Sequence, residues 1–406
     1  MQKIIFINRF FYPDHSATSQ LLTDLVSKLN YNNCEIHIVT SRMKYDDENV
    51  RYESDAKYKG VYIHRCWTSS FGRSALLGRA IDYLTFYMSS FFKLLTLVSK
   101  NDVVVAKTDP PLISVSSGVV TKFKQATLIN WVQDLFPEVA KELNVSLFNG
   151  ILFNVVKYVR NWSLKIAYKN VVLGELMAEK INSEIKSARE PVIIPNWVVG
   201  KEMRPVSRGD NSLSLKWGLT NKFVIGYSGN LGRAHDYKTI LKAAIELKEK
   251  EEIVFLFIGG GAGYDELKKQ VETLGLSNFL FKQYQSTELL SYSLSVPDVH
   301  IISLEPALEG LIVPSKFYGI ISVGKPIIFI GDQKGEIARL ISKYNCGLSI
   351  IPGDAIAMKS SFLKLKEDSE YCNLLSKNSR DLYESHFAVE KSVDLWRQTI
   401  APLLDE

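Results

Sequence analysis

Residues 301–330 read IISLEPALEGLIVPSKFYGIISVGKPIIFI, and this stretch decides the fold of the chain. Its apolar start predicts a strand, a loop containing Glu309 and Gly310 follows, and a short apolar helix over residues 315–324 precedes a second strand over residues 326–330. Strand, loop, helix and strand at this spacing form a parallel βαβ unit, whose loop lies at the carboxyl end of the first strand. Open α/β sheets bind their ligands at that edge.

The end of this loop has the features of a diphosphate site. Ser315 is predicted to cap the helix, and Lys316 adds a full positive charge to the partial charge of the free backbone N–H groups. The same loop is equally typical of any large α/β protein in which the glutamates are solvated and Gly310 only makes a turn. The residues alone leave both interpretations open.

The pattern E-G-x-x-x-P-x-K, followed by a helix and G-K-P-I-I, closely resembles the donor-binding motif of retaining GT-B glycosyltransferases, the glycosyl transferases group 1 family. The resemblance implies that Glu309 faces the donor sugar and acts in catalysis with Lys316. It also implies donor contacts, mainly through backbone N–H groups, at Gly310, Leu311, Ile312, Val313 and Ser315. The family's second Glu, which holds the ribose, falls on Gly319 here, so ribose recognition is not explained by the motif.

The composition describes a chain that folds around a core. Its 406 residues allow two domains, and 46% apolar with 23% charged residues argue against disorder and against a coiled coil. No CxxC pair or metal-ligand spacing links the four cysteines, which favours reduced thiols in a cytoplasmic protein. These cysteines are Cys34, Cys66, Cys346 and Cys372.

Neither a signal peptide nor a membrane span is predicted. The apolar run at the start of the chain ends at Asn8 and Arg9 and is expected to be the first strand. The most apolar stretch, residues 76–98, is interrupted by Arg79 and Asp82, so we do not expect it to span a membrane.

The positive charge of the chain is confined to its first half. Residues 1–200 hold 24 Lys and Arg against 18 Asp and Glu, whereas the remaining residues hold 25 against 26. Residues 76–98 and 147–168 have apolar residues at helical spacing with basic flanks. They are typical of ordinary core-facing helices or, alternatively, of attachment to an anionic membrane surface; nucleic acid is a weaker candidate. The basic residues concerned are Arg73, Arg79, Lys93, Lys100, Lys157, Arg160, Lys165 and Lys169.

The first half alternates strands with helices, which predicts a mainly parallel sheet covered by helices. The predicted strands cover residues 4–8, 35–40, 61–65, 102–106, 127–131, 171–173 and 192–194. Polar residues follow several of these strands and are therefore candidates for contact with an acceptor. They are Tyr12, Asp14, His15, Asp109, Gln133, Asp134 and Glu138.

Two segments of this half add to the resemblance. W-V-Q-D-L-F-P-E looks like the H-D-L-W-P-E signature of relatives that build bacterial surface polysaccharides, with Gln133 in place of the family's His and Asp134 matching its Asp. The opening NRFFYPDHSATS resembles the acceptor-binding first loop of those enzymes. The resemblance thus implies a catalytic Asp134 and acceptor contacts at Tyr12, His15, Ala17 and Gln133, although Asp134 as a turn cap and His15 as a plain surface residue fit the local pattern equally well.

A Pro- and Gly-rich segment, residues 191–209, is predicted to link the first domain to a second one. The second half then shows five strands, over residues 223–227, 253–258, 279–282, 299–302 and 326–330, with helices between them. These predict a second Rossmann-like domain. G-G-G-A-G after the second of these strands invites a dinucleotide interpretation, which we reject because no acidic residue follows at the expected strand end.

The loop S-G-N-L-G-R-A after residue 227 is the stronger candidate for donor binding. Its glycines allow close backbone approach, and Arg233 is suited to bidentate contact with phosphate, although an exposed loop charge is the alternative. The family's Arg and Lys for the diphosphate fall by spacing on Asn230 and His235, so we expect Arg233 and Lys316 to carry the charge instead. By resemblance, the donor contacts in this half also include Gly229, Asn230, Gly232, His235, Gln283 and Tyr284.

Together these features predict an α/β protein of the GT-B class, with two Rossmann-like domains facing each other across a cleft. The resemblance implies an acceptor-binding domain over residues 1–195, a nucleotide-sugar-binding domain over residues 196–385 and a C-terminal helix over residues 386–406 that crosses back to the first domain.

The resemblance implies a retaining transfer of a fucose-type or N-acetylated deoxysugar from a UDP- or GDP-type donor to a lipid-diphosphate-linked saccharide. The expected location is the cytoplasmic face of the inner membrane, in bacterial surface polysaccharide synthesis. No cofactor and no metal site are expected, since no DxD-like pattern is present. The departures at Gly319, Asn230 and Gln133 leave two alternatives open, a non-catalytic sugar-nucleotide-binding scaffold and a GT-B-fold sugar-nucleotide epimerase.

Overall fold

A computed structural model describes residues 1–29, 31, 33–47, 50–72, 76–145, 150–185, 189–198 and 203–404. The chain divides into two compact units. The first comprises Met1–Pro195 together with Glu390–Glu406, and the second comprises Asn196–Val389.

The first unit contains an eight-stranded sheet. Its strands are β1 (Gln2–Ile7), β2 (Cys34–Ser41), β3 (Asp55–Tyr58), β4 (Val61–Cys66), β5 (Val103–Lys107), β6 (Thr127–Trp131), β7 (Lys169–Val172) and β8 (Val192–Ile193). They lie in the order β3-β4-β2-β1-β5-β6-β7-β8, and all pairs are parallel except β3 with β4. The central strands β1 and β5 are almost wholly buried, as expected for a parallel sheet covered on both faces.

Helices pack on this sheet. They are α1 (Ala17–Lys28), α2 (Leu76–Leu97), α3 (Ile113–Lys124), α4 (Glu138–Glu142), α5 (Ile151–Ile166) and α6 (Glu175–Ile185). The helix expected over residues 76–98 is confirmed. The one expected over residues 147–168 begins at Ile151, and residues 147–149 lie outside the described residues, as does Arg73. Among the described residues, none of these or the later helices has the length and apolarity to cross a bilayer.

The second unit contains six parallel strands, β9 (Phe223–Asn230), β10 (Ile253–Gly260), β11 (Phe279–Lys282), β12 (Val299–Ser303), β13 (Ile327–Ile330) and β14 (Gly347–Ile350). Their order is β11-β10-β9-β12-β13-β14. The expected βαβ unit is confirmed, since β12 and β13 pair in parallel. The prediction of five strands was wrong, because β14 is a short GLSI segment with half-exposed polar and apolar residues that lacks a continuous apolar run.

Eight helices are described in the second unit: α7 (Ser212–Lys216), α8 (Lys238–Ile245), α9 (Ala262–Thr273), α10 (Leu290–Ser295), α11 (Lys316–Ser322), α12 (Glu336–Tyr344), α13 (Ala355–Glu367) and α14 (Ser369–Leu382). Strand β9 continues through Gly229 into the segment predicted as loop. Gly229 pairs there with Gly259 of β10, and a Cβ on Gly259 would lie 2.2 Å from the Gly229 carbonyl oxygen. Glycine is therefore needed where these two strands approach.

The last helix, α15 (Val389–Ile400), places most of its residues in the first unit. Its Trp396 is fully buried and packs edge-on against Trp131 of β6, with ring centroids 4.8 Å apart. Arg397 donates a hydrogen bond to the Lys28 carbonyl at the end of α1, and the Ser392 hydroxyl donates one to the Pro195 carbonyl. The end of the chain is thereby part of the core of the first unit.

The linker predicted over residues 191–209 includes residues 199–202, which lie outside the described residues.

Candidate active site

Two loops meet at the carboxyl edge of the sheet in the second unit. One follows β9 and the other follows β12, and these strands are neighbours in the sheet. The backbone N–H of Glu305 donates to the Ala234 carbonyl at 2.9 Å, which joins the loops directly. Sheet topology therefore brings residues near 230 and residues near 310 to the same place, as the βαβ geometry predicts.

Lys316 is the first residue of α11 and extends into this corner. Its Nζ lies 3.2 Å from His235 Nε2 and 5.1 Å from the centre of the Tyr227 ring. A Cβ on Gly229 would lie 3.0 Å from Lys316 Cε, so Gly229 leaves the space that the lysine stem occupies. Burial lowers the pKa of Lys316 to about 8, and among the described residues no carboxylate pairs with it.

His235 contacts the Lys316 ammonium but carries no negative charge that could neutralise it. Burial, and then the charge of Lys316, lower its pKa to about 4, so the imidazole is neutral at pH 7. Its Nδ1 lies 3.0 Å from the Gly232 nitrogen and 3.3 Å from the Gly232 oxygen. The Gly232 backbone N–H donates to Nδ1, and because a neutral imidazole has a single accepting nitrogen, the tautomer decides whether Nδ1 or Nε2 accepts a hydrogen bond. The corner thus contains a cation held only by neutral groups, which favours binding of an anion.

Glu309 lies at the start of α12. One carboxyl oxygen accepts a hydrogen bond of 3.1 Å from the Glu336 backbone N–H, and the other oxygen is buried with no hydrogen-bond partner among the described residues. A Cβ on Gly335 would come within 2.2 Å of that second oxygen, so only glycine fits beside it. Burial raises the pKa of Glu309 to about 7. Glu309 therefore satisfies a free N–H of α12, a contact that the sequence did not predict.

The segment between Glu309 and Lys316 turns at Gly310, which has a φ of +71°, and buries Leu311 completely. Ile312 and Val313 are half-buried. Ser315 occupies the N-cap position of α11, but the prediction that its side chain caps the helix was wrong. Its backbone is already helical, with φ −62° and ψ −19°, whereas a capping residue needs an extended backbone to turn its oxygen toward the helix N–H groups.

The other donor candidates lie around the same edge. Asn230 ends β9. A Cβ on Gly261 would lie 2.2 Å from the side-chain oxygen of Asn230, so glycine is needed there. Gly232 contacts His235 as described. Arg233 is exposed and makes no hydrogen bond or ion pair with any residue that the structure describes, so its predicted role in phosphate binding stays a prediction.

Gln283 and Tyr284 directly follow β11 at the same edge. Tyr284 is 61% exposed, and a Cβ on Gly260 would lie 3.6 Å from its ring. The Gln283 carbonyl accepts a hydrogen bond from the Gln285 side chain. The ring of Tyr284 is thus exposed to solvent, as a contact with a nucleotide base requires.

The acceptor candidates lie at the carboxyl edge of the first sheet. Tyr12 is half-exposed and stacks on Tyr58, with ring centroids 4.0 Å apart. His15 and Ala17 are exposed at the start of α1, and the His15 carbonyl accepts a hydrogen bond from Gln20. Their predicted contacts with an acceptor stay predictions.

Asp134 lines a narrow pocket with Thr108, Asn130 and Arg160. Although solvent reaches this residue, the surrounding protein displaces much of the water, and this desolvation together with the charge of Asp109 raises the pKa of Asp134 to about 6. Gln133 is buried, and its backbone N–H donates to the Thr108 hydroxyl at 2.9 Å. Raised carboxyl pKa values of this kind occur at functional sites as well as in structural networks.

Three residues of the predicted basic and acceptor sets share one ion-pair network instead. Glu138 accepts from Arg160 at 2.6 Å, and Lys157 lies 3.1 Å from the same carboxylate. Glu184 completes the network at 2.8 Å from each cation. Arg160 and Lys157 are therefore neutralised within the first unit, because α5 packs beside α4 and α6.

Two further groups were missed by sequence reasoning. Tyr227 lies inside strand β9 and shows no polar signal in the sequence, yet its ring faces Lys316. Lys107, which ends β5, is fully buried with its Nζ 3.8 Å from the Trp131 ring centre, and it donates to the Thr18 carbonyl at 3.0 Å. The position of Lys107 at a strand end was the only available signal. Within the described ranges, no three His, Cys, Asp or Glu side chains are grouped in a way that could hold a metal ion.

Comparison with known proteins agrees with this geometry. The family model described as glycosyl transferases group 1 matches residues 213–382, which include both loops of the corner around Lys316. WbjE of Pseudomonas aeruginosa, whose name describes a glycosyltransferase, is 26% identical over 82% of this chain and 83% of its own length. WcaI of Escherichia coli K12, named for colanic acid biosynthesis, is 23% identical over 88% of each chain.

Solved structures share the fold over nearly the whole chain. A sucrose-phosphate synthase from Thermosynechococcus elongatus has a TM-score of 0.75 at 15% identity and covers 99% of this chain and 100% of its own. Anabaena Alr3699/HepE, in complex with UDP and glucose, has a TM-score of 0.70 at 14% identity with the same coverage. The fold of the chain is GT-B, and the chain is similar to members of the glycosyl transferases group 1 family, whose model matches residues 213–382.

Proposed function

We propose that the chain is a retaining, metal-independent glycosyltransferase that moves a sugar from a UDP- or GDP-type donor to a lipid-diphosphate-linked saccharide during bacterial surface polysaccharide synthesis. The observation that carries this proposal is Lys316, whose partly buried ammonium contacts His235 and Tyr227 without a carboxylate. A buried unpaired cation is costly unless an anion completes the site. The diphosphate of a nucleotide-sugar is such an anion.

The proposed reaction forms a bond between the acceptor oxygen and the anomeric carbon and breaks the bond from that carbon to the β-phosphate oxygen. Negative charge develops on the departing oxygen. Lys316 stabilises this charge electrostatically, and Arg233 in the adjacent loop is free to approach the same diphosphate. The acceptor proton passes to the departing phosphate on the same face of the sugar, which keeps the anomeric configuration. Glu309 orients the sugar through its second carboxyl oxygen.

Donor recognition is supported by two points. Anabaena HepE, which shares the fold, carries UDP and glucose. In this chain, the exposed ring of Tyr284 follows β11 at the edge where Gly229 and Lys316 lie, and it supplies a stacking surface for a base. Fucose-type or N-acetylated deoxysugars are the sugars that we propose to be transferred.

The relatives and the polar residues of the first unit support the proposed acceptor and location. Names of relatives refer to glycosyl transfer and colanic acid biosynthesis, which favours a lipid-linked saccharide in surface polysaccharide synthesis. Gln133, Tyr12, His15 and Ala17 are the proposed acceptor contacts, and Asp134 is the proposed catalytic residue of the first unit. The enzyme then works at the cytoplasmic face of the inner membrane.

A thermal-shift screen with UDP, GDP, TDP and CMP, each with and without EDTA, tests the donor site. A ligand present at a hundredfold its Kd adds about 2.7 kcal/mol of stability. We expect one diphosphate to stabilise the protein equally with EDTA, and its affinity to fall above about pH 8 as Lys316 loses its proton.

The variant Lys316→Met tests whether the nucleotide-induced shift depends on this lysine. Removing a buried unpaired cation should leave the melting temperature of the free protein unchanged or higher, while the nucleotide-induced shift is lost. Lys268→Met, on the exposed face of α9, is the matched control and should keep the full shift. Failure of all four nucleotides to stabilise the wild-type protein, or an undiminished shift in Lys316→Met, contradicts the donor site.

A further inference from the structure

Strand β5 ends in a lysine that is fully buried. The Nζ atom of Lys107 donates a hydrogen bond of 3.0 Å to the Thr18 carbonyl and lies 3.8 Å from the centre of the Trp131 ring. No carboxylate of the described residues lies within ion-pair distance of this Nζ. Burial lowers the pKa of Lys107 well below its ordinary value, and the more distant charge of Asp109 opposes this effect only in part.

Packing alone does not explain a lysine at this position. Burying its amine costs free energy in either protonation state, because one carbonyl oxygen and one ring are its partners, and methionine would fill nearly the same space without that cost. What Lys107 adds is a directed bond to the backbone of α1 and a contact with the end of β6. Proposed acceptor contacts lie beside both elements, His15 and Ala17 at the start of α1 and Gln133 after β6.

Asp109, two residues further on, binds the same residue of α1. Its Oδ2 accepts a hydrogen bond of 2.6 Å from the Thr18 hydroxyl, and its backbone carbonyl accepts one of 2.7 Å from the Arg9 N–H. Thr18 is thereby bound through its main chain by Lys107 and through its side chain by Asp109. Two bonds from one strand end restrict the movement of the first turn of α1.

Thr108, between these two residues, binds the segment at the end of β6. Its hydroxyl accepts a hydrogen bond of 2.9 Å from the Gln133 N–H, and its own N–H donates to the Trp131 carbonyl at 3.2 Å. Strand β5 lies between β1 and β6 in the sheet. Residues 107–109 are therefore bonded to the elements on both sides, the loop and helix that follow β1 and the segment that follows β6.

We infer that Lys107, acting with Asp109, is a positioning residue for acceptor binding, which holds the start of α1 at a fixed distance from Gln133. An acceptor that contacts both sides then meets a preorganised site and does not have to order it on binding. A looser first turn of α1 raises the KM for the acceptor and leaves donor binding unchanged, because the donor contacts all lie in Asn196–Val389. The inference rests on the proposed function, which supplies the acceptor.

The variant Lys107→Met tests this inference in the transferase reaction. Methionine keeps the apolar stem and removes the bond to the Thr18 carbonyl. We expect the KM for the lipid-linked saccharide to rise about tenfold, the factor that corresponds to the upper end of a single hydrogen bond, while the KM for the donor stays that of the wild type. The melting temperature of the free protein should be unchanged or higher, because the cost of burying the amine is removed.

Lys3→Met is the matched control for the loss of a bond from a lysine to a carbonyl. Lys3 lies in the same unit at the amino end of β1, and its Nζ donates to the Leu97 carbonyl at 2.9 Å. This variant should keep both wild-type KM values, although its melting temperature falls because Asp102 loses an ion pair.

Thr18→Val removes the second bond, from the Thr18 hydroxyl to Asp109, and should raise the KM for the acceptor in the same direction as Lys107→Met. Its matched control is Thr121→Val, since the buried Thr121 hydroxyl donates to the Gly118 carbonyl within α3. The control should keep both wild-type KM values.

Hydrogen exchange tests the positioning without reference to activity. Amides of residues 20–25, in the first turns of α1, should exchange faster in Lys107→Met and in Thr18→Val than in the wild type, because local opening of the helix costs less free energy. Amides of residues 113–124, in α3, should exchange at the wild-type rate in these two variants. Unchanged exchange of residues 20–25 would overturn the inference.

Failure of this inference and failure of the proposed function give different results. An active wild type together with an unchanged acceptor KM in Lys107→Met overturns the positioning role, as does a variant in which both KM values and the melting temperature change together. No release of nucleoside diphosphate by the wild type with any donor contradicts the proposed function and, with it, the acceptor role. Hydrogen exchange then decides alone whether Lys107 holds α1.

Discussion

At the scale of single residues, the most informative contact is between Lys316 and His235, which are 81 positions apart in the chain. The sequence indicated that Lys316 begins a helix in a ligand-binding loop, and it placed His235 where relatives have a cation. It could not show that the two meet, because their contact depends on β9 and β12 being neighbours in the sheet. Here a lysine from one loop supplies the charge, and a neutral histidine from the other supports it.

Gly229 offers a direct test of this arrangement. Its φ is +117°, and a Cβ would lie 3.0 Å from Lys316 Cε, so Gly229→Ala combines backbone strain with displacement of the lysine. We expect a loss of about 1–2 kcal/mol in stability from the strain and, in addition, weaker nucleotide binding measured by calorimetry.

Gly60 provides the control for strain alone. It has a φ of +86° and no atoms within 4 Å of its hypothetical Cβ. Gly60→Ala should lose comparable stability and keep full nucleotide affinity. If Gly229→Ala binds nucleotide as tightly as Gly60→Ala does, the position of Lys316 is unimportant for the donor.

At the scale of elements, helix α12 positions Glu309. The sequence resemblance assigned this glutamate to the donor sugar, but nothing local indicated that it also accepts a hydrogen bond from the backbone of Glu336, 27 residues away. Likewise, β3 and β14 were missed because both are four-residue strands with exposed or half-exposed positions, where local pattern is weakest. The long buried strands, β1, β5, β9 and β10, were all predicted because their apolar runs dominate the local sequence.

The raised pKa of Glu309 makes its contribution to stability depend on pH. Because the pKa of the folded carboxyl is about 7, against 4.5 for an ordinary glutamate, the folded state binds the proton more tightly. Protonation of Glu309 adds roughly 3 kcal/mol at most to the free energy of unfolding. This contribution is complete below about pH 4.5 and is lost as the pH rises through 7.

Glu309→Gln removes this dependence while keeping an oxygen for the Glu336 N–H. Unfolding in urea at a series of pH values should show the wild type losing stability relative to Glu309→Gln between about pH 5 and pH 8. Parallel curves for the two proteins over that interval would show that Glu309 is not a buried acid. The protein must be free of nucleotide in this experiment, because nucleotide binding would add its own pH dependence to the free energy of unfolding.

At the scale of the whole molecule, the chain folds as two compact units, and the last residues, Glu390–Glu406, belong to the first of them. Trp396 and Trp131 contact each other within this unit, and both rings are fully buried. The resemblance implied a C-terminal helix that crosses back to the first domain. The partner of its apolar face became visible only when β6 and α15 were placed together.

Trp396→Ala tests how much the first unit depends on the end of the chain. Replacing a fully buried Trp by Ala costs about 3–5 kcal/mol, so we expect the first unit to unfold at a lower temperature in calorimetry. Nucleotide affinity should be unchanged under native conditions, because the donor residues all lie in Asn196–Val389. An unchanged melting profile would show that α15 adds little to the first unit.

The measurement that tests the central claim most directly is release of nucleoside diphosphate from UDP- and GDP-sugars, with and without lipid-linked saccharides extracted from a polysaccharide-producing bacterium. We predict release that requires the lipid extract, persists in EDTA and falls by about a hundredfold or more in Lys316→Met, the size of effect seen when a group that stabilises developing charge is removed. Lys268→Met should retain full activity. No release by the wild-type protein with any donor, or equal release by Lys316→Met, would contradict a transferase built around Lys316.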